Sequence, residues 1–231
     1  MAIQKAEFVR QAAAGLGVLH SPVRPLESRP MPSKLLFLPG ASGNTAFWKP
    51  VSELLDLPAV RVFCGWPGFG STPAEPGVRG IDDLVARVVA EIDRPTALLA
   101  QSMGGVIALR AALQRPQLVT HLVLTVTSGG VDLTNLGAED WRSSFFESNP
   151  TVPRWFAEPQ PDLAPELSSV LAPTLLLWGD ADPISPVAVG RRLAQVLPRS
   201  SLHVIAGGSH DLANAKAITV APLIDQHLRS A

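Results

Sequence analysis

The chain has 231 residues, 46% of them hydrophobic, a formal net charge of −1 and a single cysteine, Cys64. That length and apolar content suit one folded domain with a sizeable core, not a disordered chain. The near-neutral charge gives no footing for a nucleic acid or an anionic membrane surface. One cysteine permits neither an intrachain disulfide nor a cysteine-rich zinc site. Lys5, Glu7 and Arg10 interrupt the stretch where a signal peptide would be apolar, and no apolar run approaches the ~18–20 residues of a membrane span, so a cytoplasmic protein is expected.

Residues 1–33 are proline-rich and weakly patterned; Glu7–Arg10 and Gly17–His20 read as short edge strands. From Lys34 the pattern sharpens. Lys34–Leu38 is a buried strand stopped by Pro39-Gly40, followed by a loop and a helix over Ala46–Leu55. Ala59–Cys64 is a strand running into the glycine-rich loop Gly65–Ser71. Ile81, Leu84, Val85, Val88, Val89 and Ile92 then fall on one face of a helix over Ile81–Ile92. Ala97–Ala100 is a strand, Val106–Leu113 lies in a helix, and Val119–Val126 is a strand. After a break come the strand Pro173–Trp178, a helix over Pro186–Val196, the strand Ser201–Ala206 and a helix over Ala213–Leu228.

Strand and helix alternate with short connections, which predicts an α/β fold: a mostly parallel central sheet with helices on both faces. The whole chain, 1–231, reads as one domain. Residues 128–171 break the alternation with aromatics and prolines and no convincing strand. They are expected to form a small cap after the sixth strand, counting both N-terminal strands, above the sheet's C-terminal edge.

Ligand sites of open α/β sheets gather at that edge. The strand Ala97–Ala100 delivers Ser102 between small residues and a helix, the setting of a nucleophile elbow. The competing reading is a serine that merely caps the helix. A serine hydroxyl needs a base, and the base needs an orienting carboxylate. His210, after Gly207-Gly208 at a strand end, can supply the first. Asp182, two residues beyond Asp180 in another strand-end loop, can supply the second. His20, His121, His203 and His227 sit in less suitable places. An oxyanion would need two donors, for which the backbone N–H groups of Met103 and Ala41 are the candidates.

Five loops then match together: LPGASG, WPGFGSTP, AQSMGG, WGDADPISP and GGSHDL. In this order at these strand ends they resemble the α/β-hydrolase superfamily over residues 34 to 228. The resemblance implies that Asp182 is the catalytic aspartate, with Ser102 and His210 as its partners, and that no cofactor or metal is required. Three positions depart from the family pattern: Pro39 for histidine, Gly65 for aspartate and Ala100 for glycine. A serine at the elbow and the absence of any tyrosine set the chain apart from dehalogenases and epoxide hydrolases of the superfamily.

The expected activity is that of a carboxylesterase- or thioesterase-like serine hydrolase on a small ester-like substrate. Alternatives are a carbon–carbon bond hydrolase or lyase on a small keto substrate, and a non-catalytic ligand-binding protein on the same fold. Trp141, Phe145 and Trp155 are candidate pocket residues as well as plausible core, with Trp141 and Phe145 on one face if Ala138–Phe146 is helical. Arg142 and Arg154 read as solvated charges; the sharper reading has one reaching in to a substrate carboxylate. Gly68-Phe69-Gly70 lacks the further spacing and the lysine of a phosphate loop. The expected partner is a small molecule alone, and the expected state a monomer or homodimer.

Overall fold

Runs such as Leu35-Leu36-Phe37-Leu38 and Leu175-Leu176-Leu177-Trp178 show no polar alternation, because strands of a parallel sheet are covered on both faces. A computed structural model describes residues 29–230 and places these runs accordingly. The strands are β1 (Lys34–Leu38), β2 (Val60–Phe63), β3 (Thr96–Gln101), β4 (Val119–Thr125), β5 (Thr174–Gly179) and β6 (Ser200–Ile205). All neighbours pair parallel, in the order β2-β1-β3-β4-β5-β6. Every residue of β1, β3, β4 and β5 is buried, whereas the edge strands β2 and β6 are largely open. The strand order reverses direction between β1 and β3, so their following loops diverge and leave a crevice at the sheet's C-terminal edge.

The helices are α1 (Lys49–Leu54), α2 (Ile81–Glu91), α3 (Met103–Gln114), α4 (Arg142–Ser148), α5 (Ala164–Leu167), α6 (Val187–Val196), α7 (Leu212–Ala215) and α8 (Ala217–Leu228). The long helices bury one apolar stripe each; in α2 it is Ile81, Leu84, Val85 and Val88. Three expectations shift. The helix expected from Ala46 begins at Lys49, with Pro50 in its first turn. The C-terminal helix is broken at Lys216, whose ψ of 34° leaves the helical region. That break lets Asn214 Nδ2 donate to Phe47 O at 2.7 Å while Asp225 Oδ1, further along, accepts from Asp56 N at 3.1 Å. The helix expected from Ala138 starts only at Arg142, because Asp140 Oδ1 accepts the Arg142 N–H at 3.1 Å and turns the chain there. The two N-terminal strands expected from the sequence lie outside the described residues. Counted from β1, residues 128–171 follow the fourth strand and rejoin the sheet at β5.

One buried pair sits away from the crevice. His121 on β4 and His227 on α8 meet edge to face, with ring centroids 5.2 Å apart. Their Nε2 atoms donate to Ser230 O at 2.8 Å and to Leu122 O at 3.0 Å. Burial, followed by the neighbouring His121, pushes the His227 pKa down to about 4. Burial also lowers His121, with Arg29 and Arg199 adding to it. An unfolded histidine titrates near 6.5, so between pH 6.5 and 4 the unfolded chain binds the extra proton. Stability is therefore full above pH 6.5 and falls by roughly 3 kcal/mol as the pH drops to about 4. Urea midpoints across this range should decline in the native protein, and His227→Gln should flatten the decline.

Candidate active site

Ser102 sits between β3 and α3 with φ 52° and ψ −122°, a conformation that costs a non-glycine residue ~1–3 kcal/mol and is held only by tight surroundings. Those surroundings explain the small residues that follow it. A Cβ on Gly104 would come within 2.6 Å of Pro39 O, and one on Gly105 would strike the Thr127 side chain. Ala100, where the family motif has glycine, is wholly buried in β3 between Leu38 and Leu124.

The two other predicted side chains arrive from the ends of β5 and β6. His210 Nε2 lies 3.0 Å from Ser102 Oγ, and its Nδ1 lies 2.8 Å from Asp182 Oδ2. In the arrangement that satisfies both contacts, the serine hydroxyl donates to Nε2 and Nδ1–H donates to the carboxylate. The Asp182 side chain is fully buried, and its Oδ1 accepts from Ile184 N at 2.9 Å and Ser185 N at 3.2 Å. Asp180 does something else: its Oδ1 accepts from Gly207 N at 2.6 Å, tying the β5 and β6 loops together. A Cβ on Gly179 would overlap the Gly208 carbonyl, so those two loops approach to a distance only glycine allows.

Ala41 and Met103 both line the space above Ser102. Among the described residues neither N–H meets a protein acceptor, which leaves both available to a ligand oxygen. The loop carrying Ala41 is anchored from below, where Trp48 Nε1 donates to Leu38 O at 3.1 Å and Trp66 Nε1 to Pro39 O at 3.0 Å. These two buried indoles support the loop in which Pro39 stands for histidine. At Gly65, the place of the family's aspartate is filled by the Thr72 side chain.

Gln101 went unnoticed in the sequence. It is buried, and its Nε2 donates to His210 O at 3.0 Å while its Oε1 presses against Gly40. The residue before the serine thus joins the β1 loop to the β6 loop. Its sequence signal is one polar side chain closing an apolar strand.

Residues 128–171 complete the walls of a cavity of about 630 Å³ that contains Ser102 and His210. Trp141, Phe145 and Phe156 form its aromatic side: Trp141 stacks on Phe156 at 5.5 Å, and Phe145 meets both edge-on. Trp155 does not line this cavity. It sits in the 3₁₀ turn Arg154–Ala157, where successive side chains diverge by about 120°. Both rings meet Phe69 edge-on, but Phe156 is the one that also lines the cavity. Arg142 reaches the cavity rim, but its guanidinium donates to Asp140 at 3.0 Å and lies 5.7 Å from the Trp141 ring centroid. Arg154 stacks over Phe146 at 4.5 Å. Arg142 is thus paired with a carboxylate, and Arg154 does not line the cavity. Among the described residues no cluster of His, Cys, Asp and Glu could hold a metal ion, and no helix is long and apolar enough to cross a membrane.

A family model described as the alpha/beta hydrolase family matches residues 35–221. The chain belongs to this family. As an alpha/beta hydrolase it is an enzyme of the hydrolase type. It is 34% identical, over 96 residues, to a pimeloyl-[acyl-carrier protein] methyl ester esterase of Aliivibrio salmonicida. That match spans 42% of the chain and only 36% of the relative. A 2-hydroxy-6-oxononadienedioate/2-hydroxy-6-oxononatrienedioate hydrolase of Burkholderia vietnamiensis is 25% identical, covering 74% of the chain and 77% of that relative. In structure, the hydrolase superposes on a thermophilic esterase of Thermogutta terrifontis with a TM-score of 0.69, at 21% identity, over 87% of this chain and 90% of that one.

Proposed function

We propose that the protein is a serine hydrolase that cleaves a small ester through an acyl-enzyme. The observation that carries this is the unbroken hydrogen-bonded series from Ser102 through His210 to the buried Asp182, opening into a cavity. Nε2 of His210 takes the hydroxyl proton as Ser102 Oγ attacks the carbonyl. Asp182, with one oxygen fixed by two backbone amides, holds Nδ1 protonated and so keeps Nε2 free to accept. The N–H groups of Ala41 and Met103 take the developing oxyanion. The imidazolium then protonates the leaving alcohol, and water, deprotonated by His210, releases the acid. Trp141, Phe145 and Phe156 receive the apolar acyl group. A fluorophosphonate probe should label Ser102 stoichiometrically in the folded protein. Folded protein that stays unlabelled would instead favour a non-catalytic ligand-binding role.

The Burkholderia relative supports a second reading, hydrolysis of a carbon–carbon bond in a keto substrate by the same residues. It needs a cation to hold the substrate's carboxylate, and Arg142 and Arg154 are engaged with Asp140 and Phe146. Faster turnover of a β-diketone than of any short ester would favour it.

A further inference from the structure

The segment 128–171 holds seven acidic residues and two arginines, a net charge of −5 in a chain whose total is −1. All seven carboxylates are exposed. Inside the cavity the charge pattern is different. Apart from His210, its charged lining residues are Arg142 and Glu158, and its other polar lining is neutral: Ser42, Ser144, Ser148, Asn149 and Gln160 among them. Arg142 donates to Asp140 in a solvent-exposed ion pair, and Arg154 lies over Phe146 rather than along the cavity wall. Of the described residues that line the cavity, the one cation besides His210, Arg142, is already paired with a carboxylate, and Glu158 adds a negative charge of its own.

We infer that this site is selective for uncharged esters and rejects acyl chains that end in a carboxylate. The inference rests on the serine-hydrolase reading and specifies its substrate class. Two effects act in the same direction. A carboxylate drawn into a cavity with aromatic walls loses its water and meets one cation, Arg142, that Asp140 already engages. Outside, the net negative segment lowers the local concentration of anionic substrate, an effect that salt screens over about 10 Å at 0.1 M. Asp140 is the residue that sets the first effect, because it already accepts from the Arg142 guanidinium and competes for it with a substrate carboxylate. This sets the protein apart from its Burkholderia relative, whose named substrates are dicarboxylates.

The test compares p-nitrophenyl hexanoate with mono-p-nitrophenyl adipate, which places a carboxylate where hexanoate has its terminal methyl. Full-length protein at low salt should show kcat/KM at least ~30-fold higher for the hexanoate. Methyl p-nitrophenyl adipate, bulkier but neutral, should recover most of that loss. Raising the salt should narrow the gap, and Asp140→Asn, which frees Arg142, should narrow it further by several-fold through the KM for the acidic ester. Turnover of the acidic ester within threefold of the hexanoate, with Ser102 labelled normally by fluorophosphonate, would overturn the inference and leave the serine-hydrolase reading intact. No turnover of any of the three esters together with no labelling of Ser102 would overturn both.

Discussion

Ser102→Ala should lower kcat for p-nitrophenyl butyrate by ~10⁴-fold or more, into the range of catalysis left when a nucleophile is lost. The protein should remain folded. Ser102 Oγ makes its hydrogen bond to His210 and no other among those of the described residues, so removal of the hydroxyl strands no buried carboxylate. The strained φ of 52° is no harder for alanine than for serine, and the packing of Gly104 against the Pro39 carbonyl is unchanged. A thermal midpoint within a few degrees of the native value, with fluorophosphonate labelling gone, would complete the result. Substantial turnover in this variant would remove Ser102 from the mechanism.

The second large effect separates two aspartates in one loop. Asp182→Asn should cost ~10³–10⁴-fold in kcat, and Asp180→Asn less than ~10-fold. An asparagine at 182 would keep its carbonyl oxygen on the amides of Ile184 and Ser185, because a buried N–H without an acceptor is costly. Its NH₂ would then face Nδ1 of His210 and favour the tautomer protonated on Nε2, which cannot take the serine proton. At 180 the single requirement is an acceptor for Gly207 N, and a neutral amide oxygen still meets it. Comparable losses in the two variants would mean that the carboxylates share the task, against the geometry.

Those two aspartates also show what could be read in advance. The buried strands were legible because four of them are apolar on both faces. The side chains proposed to react could be singled out because each stands in a loop that follows a strand, in the chain order serine, acid, histidine. What could not be read depended on contacts between distant backbones. The Trp48 and Trp66 indoles donate to the carbonyls of Leu38 and Pro39, and Gln101 donates to the carbonyl of His210. A main-chain acceptor leaves no signature in residue types. The choice between Trp155 and Phe156 was hidden for a different reason. It depends on the phase of one 3₁₀ turn after Pro153, and neighbouring aromatics of similar hydropathy carry no mark of that phase.

Residues 128–171 leave the sheet from β4 and return to it at β5, and these two strands lie side by side. Because β4 and β5 run parallel, the segment leaves at the sheet's C-terminal edge and rejoins toward the opposite edge, and Ser185 Oγ in the loop after β5 donates to Thr127 O at 3.4 Å, tying the start of the segment to the loop that carries Asp182. Ser102, His210 and Asp182 all lie outside this one contiguous segment, which supplies the aromatic side of the cavity. Chain length between neighbouring strands can change at little entropic cost, since closure grows only as the logarithm of loop length. Selection can thus rewrite that wall wholesale, lengthening it, shortening it or changing its charge, while Ser102, His210 and Asp182 keep their positions. A new substrate range is within reach of this scaffold by exchange of one contiguous piece of sequence.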